Sequence, residues 1–327
     1  MGTFELLQLN LLSPVVLAFL LGVVATLLKS DLRIPEEIYK GLSIYLLLAI
    51  GLKGGAALSQ TQITTIWLPL MLTLALGAVT PVWCFGILRK LGRFSVDDAA
   101  AVSAHYGSTS AVTFIAALAF LQAAGSPAES FMPTLLVVLE IPGIVVALLL
   151  ARLFAAGNEQ IRWRDSLHEI LSGRSILLLV GGLMIGWLSG KRGYEQVAPL
   201  FEAPFRGALM IFLLEMGMVA ARRFKDLKTA GVFLAVFAIV MPVMHGFLGT
   251  LLGELAGLQI GGAVALGVLA ASASYIAAPA AVRIALPKAS PAYYLTSSLA
   301  ITFPFNLTVG IPLYYAFAKW IYSQTGA

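Results

Sequence analysis

An all-α integral membrane protein, with ten transmembrane helices in two inverted-topology repeats of five, is the fold class this sequence predicts. Composition, the spacing of apolar windows and an internal repeat carry that expectation. The 327 residues are 59% hydrophobic and 11% charged, with a mean hydropathy of +0.92. Soluble domains hold about 45–50% apolar residues, so the excess points to lipid rather than to a water-facing surface. A helix needs roughly 20 apolar residues to cross a hydrocarbon core of about 30 Å. Ten such windows recur with short breaks, at 14–28, 38–58, 66–88, 98–122, 133–155, 173–189, 200–221, 229–252, 261–285 and 292–321. The first window has neither a basic leader nor an A-x-A-like cleavage site, so it reads as a retained span.

Charge orients the expected bundle. Lys and Arg near span ends are held on the cytoplasmic side during insertion, and sixteen of the 21 basic residues fall in loops after odd-numbered spans. The opposite face has only Lys53, Lys191, Arg192, Arg206 and Lys319. Both termini are therefore expected on the non-cytoplasmic side. Topology also accounts for the net charge of +5, leaving no reason to invoke nucleic acid. The single cysteine, Cys84, permits no internal disulfide and reads as a small buried hydrophobe.

The halves resemble one another at a shift of 166 residues. Lys40, Gly41 and Gly51 match Arg206, Gly207 and Gly217, while Val102, Ala104, Ser108 and Ala111 match Val268, Ala270, Ser274 and Ala277. Pro133 and Pro142 pair similarly with Pro304 and Pro312. The expected division is a first repeat at 1–156, a cytoplasmic linker at 157–172 and a second repeat at 173–327. Five spans per half make the second half enter from the opposite face, the inverted arrangement of many secondary transporters.

Two polar interruptions fall at equivalent depths. "VSAHYGSTSAVTF" lies in span four and "LAASASYIAAPAAVR" in span nine. Lipid cannot solvate the backbone groups that a helix break releases, so such breaks must face protein or water. Gly107 relaxes the backbone, Pro279 removes a donor, and the hydroxyls bond freed groups. If both spans break and cross, their half-helix N-termini favour an anion, while freed carbonyls and hydroxyl oxygens favour a small hard cation such as sodium. The alternative for each Ser or Thr is a bond to a carbonyl one turn back, with small residues serving close helix packing. His105 reads either as a proton carrier or substrate ligand, or as a neutral packed side chain. Glu140, before Ile141 and Pro142, reads as functional because an intramembrane acid is costly unless paired or ion-bound, and Glu215 reads similarly or as half of an ion pair. Asn306 offers a neutral oxygen for sodium or for helix-to-helix bonding. His105 and Ser108 lack an orienting acid and an oxyanion hole, and no HExxH, Walker A or dinucleotide fingerprint is present, so an enzyme is not expected.

The chain resembles the sodium-dependent bicarbonate permease family of the Sbt type. The resemblance runs through "SPVVLAFLLG", "IPEEIYKGLSIYLLLAIGLKGGAAL", "PFRGALMIFLLEMGMVA", "VMHGFLG" and "AASASYIAAPAAVRIALPKASPAYYLTSSLAIT". It implies ten helices in inverted repeats, crossing broken helices four and nine, a gate domain beside a core domain, external termini in a bacterial inner (plasma) membrane, and a homotrimer. The family's span-four motif, S-G-S-T, falls on Ser110, Ala111, Val112 and Thr113. Its span-nine motif, S-S-S-D-I-S-G-P-P, falls on the run from Ser272 to Ala280, where Ser272 and Ser274 are kept and Tyr275 replaces the acid. The D-I-P acid of span five is Glu140 here. Members regulated by a PII-like protein have a long connection between the halves, whereas residues 157–174 form a short one with the pattern of an amphipathic cytoplasmic helix.

The expected function is sodium-coupled uptake of bicarbonate or a similar small anion by alternating access. Ser110, Ala111, Thr113, Ser272, Ser274, Tyr275 and His105 form the substrate set. Glu140, Asn306, Thr302 and Ser108 form the sodium set, with no organic cofactor. Two alternatives stand beside it: a proton-coupled small-carboxylate carrier using His105 and Glu140, and a membrane anion sensor without turnover.

Overall fold

The computed structural model describes residues 3–154 and 163–325, and among them every regular element is a helix. The first two are α1 (Thr3–Leu11) and α2 (Pro14–Leu27), bent by 63° at Ser13, whose hydroxyl accepts the Val16 N–H as an N-cap. The windows had pointed only to α2. Then follow α3 (Glu36–Leu58) and α4 (Ile63–Lys90), the latter continuous through Pro69 and Pro81. The fourth span comprises α5 (Val96–Gly107) and α6 (Ala111–Ala123), and the fifth α7 (Met132–Glu140) and α8 (Pro142–Phe154). That interruption at Ile141 was not foreseen; Pro142 has no N–H to continue the ladder.

Between the halves lies α9 (Trp163–Ser172), within the expected amphipathic stretch; the preceding part of that linker, 157–162, lies outside the described residues. Next come α10 (Arg174–Phe201), α11 (Phe205–Arg222), a 3₁₀ turn (Phe224–Asp226) and α12 (Leu227–Leu255). The expected end of span six at 189 coincides with a kink at Gly190, whose φ of 62° suits a residue without a Cβ. The ninth span comprises α13 (Ile260–Ala271) and α14 (Ala277–Ala285). The last runs from α15 (Pro291–Leu295) through a π turn (Thr296–Thr302), α16 (Phe303–Phe305) and a second π turn (Asn306–Gly310) into α17 (Ile311–Thr325).

Among the described residues, seven helical runs are long and apolar enough to cross a membrane, or eight if bent α1–α2 counts as one. One of these runs, Phe205–Leu255, has 51 residues. At about 1.5 Å per residue it exceeds twice a hydrocarbon core of about 30 Å. Its 3₁₀ turn separates α11 from α12, and Gly231, with φ of 76°, kinks the first turns of α12.

Glycines set how closely the helices pack. A Cβ on Gly22 of α2 would stand 2.0 Å from the Leu214 carbonyl oxygen of α11, and one on Gly217 would stand 2.0 Å from that of Phe19. The α3–α10 pair has the same construction: Gly51 faces Leu179 and Leu183, while Gly182 faces Leu48 and Leu52. The facing residues correspond across the two seams. Leu48 and Leu52 precede Leu214 and Met218 by 166 positions, and Phe19 and Val23 precede Leu179 and Leu183 by 160. Such approaches bring backbones into van der Waals contact where the bilayer supplies little hydrophobic drive between helices. The remaining helices pack α4, α5, α7 and α8 together and α12, α13 and α17 together. Within the first group, α5 meets α8 through Gly107 and Gly143, where a Cβ on Gly143 would lie 2.0 Å from the Gly107 carbonyl oxygen.

Candidate functional site: two broken helices joined by serines

Local sequence explains why α5 stops where it does. Its N-terminus is capped by Ser95, which accepts the Asp98 N–H, and Asp97 and Asp98 complement the positive helix end. Ser108 and Ser110 then adopt extended backbone, with ψ of 173° and 112°. The hydroxyl of Ser110 caps α6 by accepting the Thr113 N–H, while its carbonyl accepts the Phe114 N–H. In the ninth span Ser272 is extended, with ψ of 158°, and the Ser274 hydroxyl accepts the Ala278 N–H at the start of α14. Pro279 follows without an N–H of its own.

The two breaks are bonded to each other. Ser272 Oγ accepts the Ser110 N–H at 2.9 Å and lies 2.9 Å from Thr109 Oγ1, while the Ser274 N–H donates to the His105 carbonyl at 2.8 Å. Thr113 Oγ1 donates to Ser110 Oγ at 3.0 Å. All of these groups are buried. The first four amides of a helix have no intrahelical acceptor, and at α6 Ser110 serves only those of Thr113 and Phe114. Ala111 and Val112 are left with N–H groups that no described acceptor meets, as are Tyr275, Ile276 and Ala277 beside the second break. Unpaired amides at a helix start bind negative charge well.

Six of the seven expected substrate residues meet in this crossing: Ser110, Ala111 and Thr113 from one break, Ser272 and Ser274 from the other, and His105 through its carbonyl. The seventh, Tyr275, is oriented differently from an ordinary hydrogen-bonding tyrosine. Its ring packs edge-on against Phe303, and its hydroxyl sits beside Ser110 without completing a bond. The His105 ring lies stacked on Tyr294 at 4.7 Å. Its Nδ1 is 2.7 Å from the Ala101 carbonyl, which can only accept, so the proton resides on Nδ1. Nε2 is then a buried acceptor with no described partner.

The expected sodium residues separate into three hydrogen-bonded groups. Ser108 donates to the backbone carbonyl of Glu140 at 2.8 Å, and Glu140 is 4% exposed, with Ser175 beside its carboxyl and Oε2 unpartnered. Asn306 donates to the Ala271 carbonyl at 2.9 Å, and its own carbonyl accepts from the Tyr314 hydroxyl at 2.9 Å. Thr302 instead donates to the Ala238 carbonyl at 2.7 Å and meets the Tyr106 hydroxyl, also at 2.7 Å. Asn306 adjoins the anion crossing through Ala271, the residue before Ser272. Thr302 braces the last span against α12.

Sequence reasoning had given no role to several supports of the crossing. His245, in the "VMHGFLG" stretch of α12, accepts the Trp83 indole N–H of α4 at 2.7 Å, tying together the helices that flank the breaks. Tyr314 orients Asn306. Glu129, in the loop between α6 and α7, accepts the Gln259 N–H at 2.6 Å and covers the first turn of α13. Burial raises the Glu129 carboxyl above the usual carboxylate range, with the Gln259 N–H opposing that shift. The roles of His245 and Glu129 appear only through distant partners, so a single sequence holds no local signal for them.

Comparison with known families resolves the class. The profile of the Na+-dependent bicarbonate transporter superfamily matches residues 14–319. The chain belongs to this family. No curated protein matches it. The chain is thus a multi-pass membrane protein of a transporter family.

Proposed function

We propose that this protein is a sodium-coupled carrier of bicarbonate or a similar small anion, working by alternating access. The single observation that carries the reading is the crossing itself. Ser272 holds the start of α6 against the second break, so that unpaired amides beside both breaks lie at one crossing with the hydroxyls of Ser110 and Ser274. These groups offer an oxyanion fixed donors without a formal charge. Glu140 and the Asn306 carbonyl, with freed backbone carbonyls, hold the sodium ion. Its charge offsets the cost of bringing an anion to a low-dielectric midplane, which is the physical origin of coupling. Ser108 positions Glu140, and Thr302 acts as a brace.

Ten spans in two inverted repeats, 1–156 and 173–327, form the framework. The glycine seams support it, because Gly22 and Gly217 of one correspond to Gly182 and Gly51 of the other, as do the residues they face. In this reading α2, α3, α10 and α11 form the gate, and the broken helices move against it. Both termini face away from the cytoplasm of a bacterial inner membrane, as the basic-residue asymmetry favours, and three copies associate. The connection at 157–172 is too short to favour a PII-like regulator.

Thermal unfolding of the purified protein tests the reading. Bicarbonate in sodium raises Tm above bicarbonate in potassium; equal Tm in both salts, or no response to bicarbonate, overturns it. A second reading has one observation in its favour: His105 Nε2 and Glu140 Oε2 are both buried without described partners, as a proton relay for a small carboxylate requires. Stabilisation by acetate or lactate in potassium, lost in His105→Ala, selects that reading instead.

A further inference from the structure

A cavity of about 640 Å³ lies between α2, α3 and α11, at the helix ends that carry Lys29, Arg33, Lys40, Arg222 and Arg223. Glu215 lines it. The side chain of Glu215 is 10% exposed, and Arg222 reaches only Oε1, at 3.4 Å, with a guanidinium side chain that is itself 55% exposed. Oε2 is buried and has no described partner. An unpaired carboxylate oxygen out of water is expensive unless a donor meets it. The Tyr39 hydroxyl lines the same space beside Glu215, and donates weakly to Met216 sulfur at 3.7 Å, which leaves its oxygen lone pairs available to a donor.

The charge pattern of the lining is graded. Its more buried polar side is lined by Glu215 and Tyr39. At its exposed edge stand the guanidinium groups of Arg33 and Arg222, and Arg33 has no described acid partner. The one other acid of the lining, Glu36, is already paired with Lys40. A lone cation would meet the Glu215 carboxylate only beside two arginines, and a lone anion would meet an unneutralised acid. A molecule carrying both charges satisfies each end.

We propose that this cavity binds a small zwitterion with a primary ammonium at Glu215 and Tyr39 and a phosphate or carboxylate at Arg33 and Arg222. The ammonium pairs with the Glu215 carboxylate, which Arg222 meets only at 3.4 Å, and the guanidinium pair grips the oxyanion in the geometry that suits arginine. Two sources share this chemistry: a free solute such as phosphoethanolamine, and the headgroup of an ethanolamine phospholipid. The inference stands whether or not the protein moves bicarbonate.

The test uses the full chain, without any transport readout. Thermal unfolding is followed with phosphoethanolamine, with ethanolamine alone, with inorganic phosphate alone and with phosphocholine, whose quaternary ammonium has no N–H. Phosphoethanolamine at a hundredfold excess over its Kd raises Tm by roughly 5 °C, and the other three probes give much smaller shifts. In parallel, protein released from nanodiscs of mixed ethanolamine and choline phospholipids is weighed by native mass spectrometry. Retention of the ethanolamine lipid alone identifies the headgroup as the source, whereas a Tm shift with the free probe alone identifies a solute; either result supports the site. Glu215→Gln removes both signals, and Arg33→Gln, at an exposed position, weakens them. The proposal is overturned if neither arm detects binding, if ethanolamine or phosphate alone matches phosphoethanolamine, if phosphocholine does so, or if binding survives in Glu215→Gln. Should Glu215→Gln fail to fold, the four-probe comparison on the unaltered chain decides the matter, with Arg33→Gln as the second variant.

Discussion

The glycine seams of α2–α11 and α3–α10 contrast with the crossing of the broken helices. At the seams Gly22 and Gly217 make contacts that correspond to those of Gly182 and Gly51, because each faces a main chain that cannot move aside, although Gly55 and Gly186 of α3–α10 have Ala221 and Thr26 at the corresponding positions. At the crossing the halves differ. The first break carries Ser108, Thr109 and Ser110 with Thr113 beyond, whereas the second carries Ser272 and Ser274 amid alanines, with Tyr275 following. A fixed steric requirement preserves resemblance between halves. A binding requirement, met jointly by both halves, lets each contribute a different part.

The contrast breaks most severely at a seam. Gly217→Val places a branched side chain where even a Cβ stands 2.0 Å from the Phe19 carbonyl oxygen. Overpacking against backbone costs about 3 kcal/mol or more, so folded protein recovered by size exclusion should fall at least about tenfold. Gly207→Val, on the same helix but with nothing within 4 Å of its Cβ position, should leave recovery unchanged. At the crossing, Ser272→Ala should fold, because it removes a hydroxyl worth about 1–3 kcal/mol when its buried partners are left unsatisfied. Uptake should nevertheless fall roughly a hundredfold, equivalent to about 2.7 kcal/mol. Equal losses of folding and uptake in Ser272→Ala would erase the distinction between the two regions.

Two milder changes sharpen it. Tyr314→Phe removes the hydroxyl that orients the Asn306 carbonyl, a loss of about 1 kcal/mol, so the sodium concentration for half-maximal uptake should rise roughly fivefold while that for bicarbonate changes little. The smallest effect belongs to Glu129, outside the membrane. Its carboxyl titrates higher in the folded protein than in the unfolded chain, where the ordinary value is about 4.3. The folded state therefore holds its proton more tightly, and this contribution to stability is complete below about pH 4.3 and is lost as pH rises through the raised folded value. Tm of the unaltered chain should decline slightly across that window. Glu129→Gln, which keeps a carbonyl for the Gln259 N–H, should flatten the decline.

Helix class, most helix limits and the two breaks, at 108–110 and 272–276, were legible in sequence, because hydrophobic length and interrupted polarity are local properties. The pairing of the breaks was legible only through the repeat that aligns Ser108 with Ser274. Other features were not legible, each for its own physical reason. The break at Ile141 follows from Pro142 but competes with an apolar run that reads as continuous, and Pro69 and Pro81 sit in a helix that does continue. Among the sodium residues, Thr302 and Asn306 lie close in sequence, yet the π turns of the last span turn Thr302 toward α12 and Asn306 toward Ala271. His245, Tyr314 and Glu129 act through partners more than a hundred residues away or on other helices, beyond the reach of any local pattern.

The most direct test of the central claim is radiolabelled bicarbonate uptake into proteoliposomes under an inward sodium gradient, run beside a matched potassium gradient for the unaltered chain, Ser272→Ala and Gly207→Val. Uptake should require sodium, persist in Gly207→Val and fall roughly a hundredfold in Ser272→Ala. Equal uptake in potassium, or full uptake in Ser272→Ala, would contradict an anion site built on the serine that joins the two breaks.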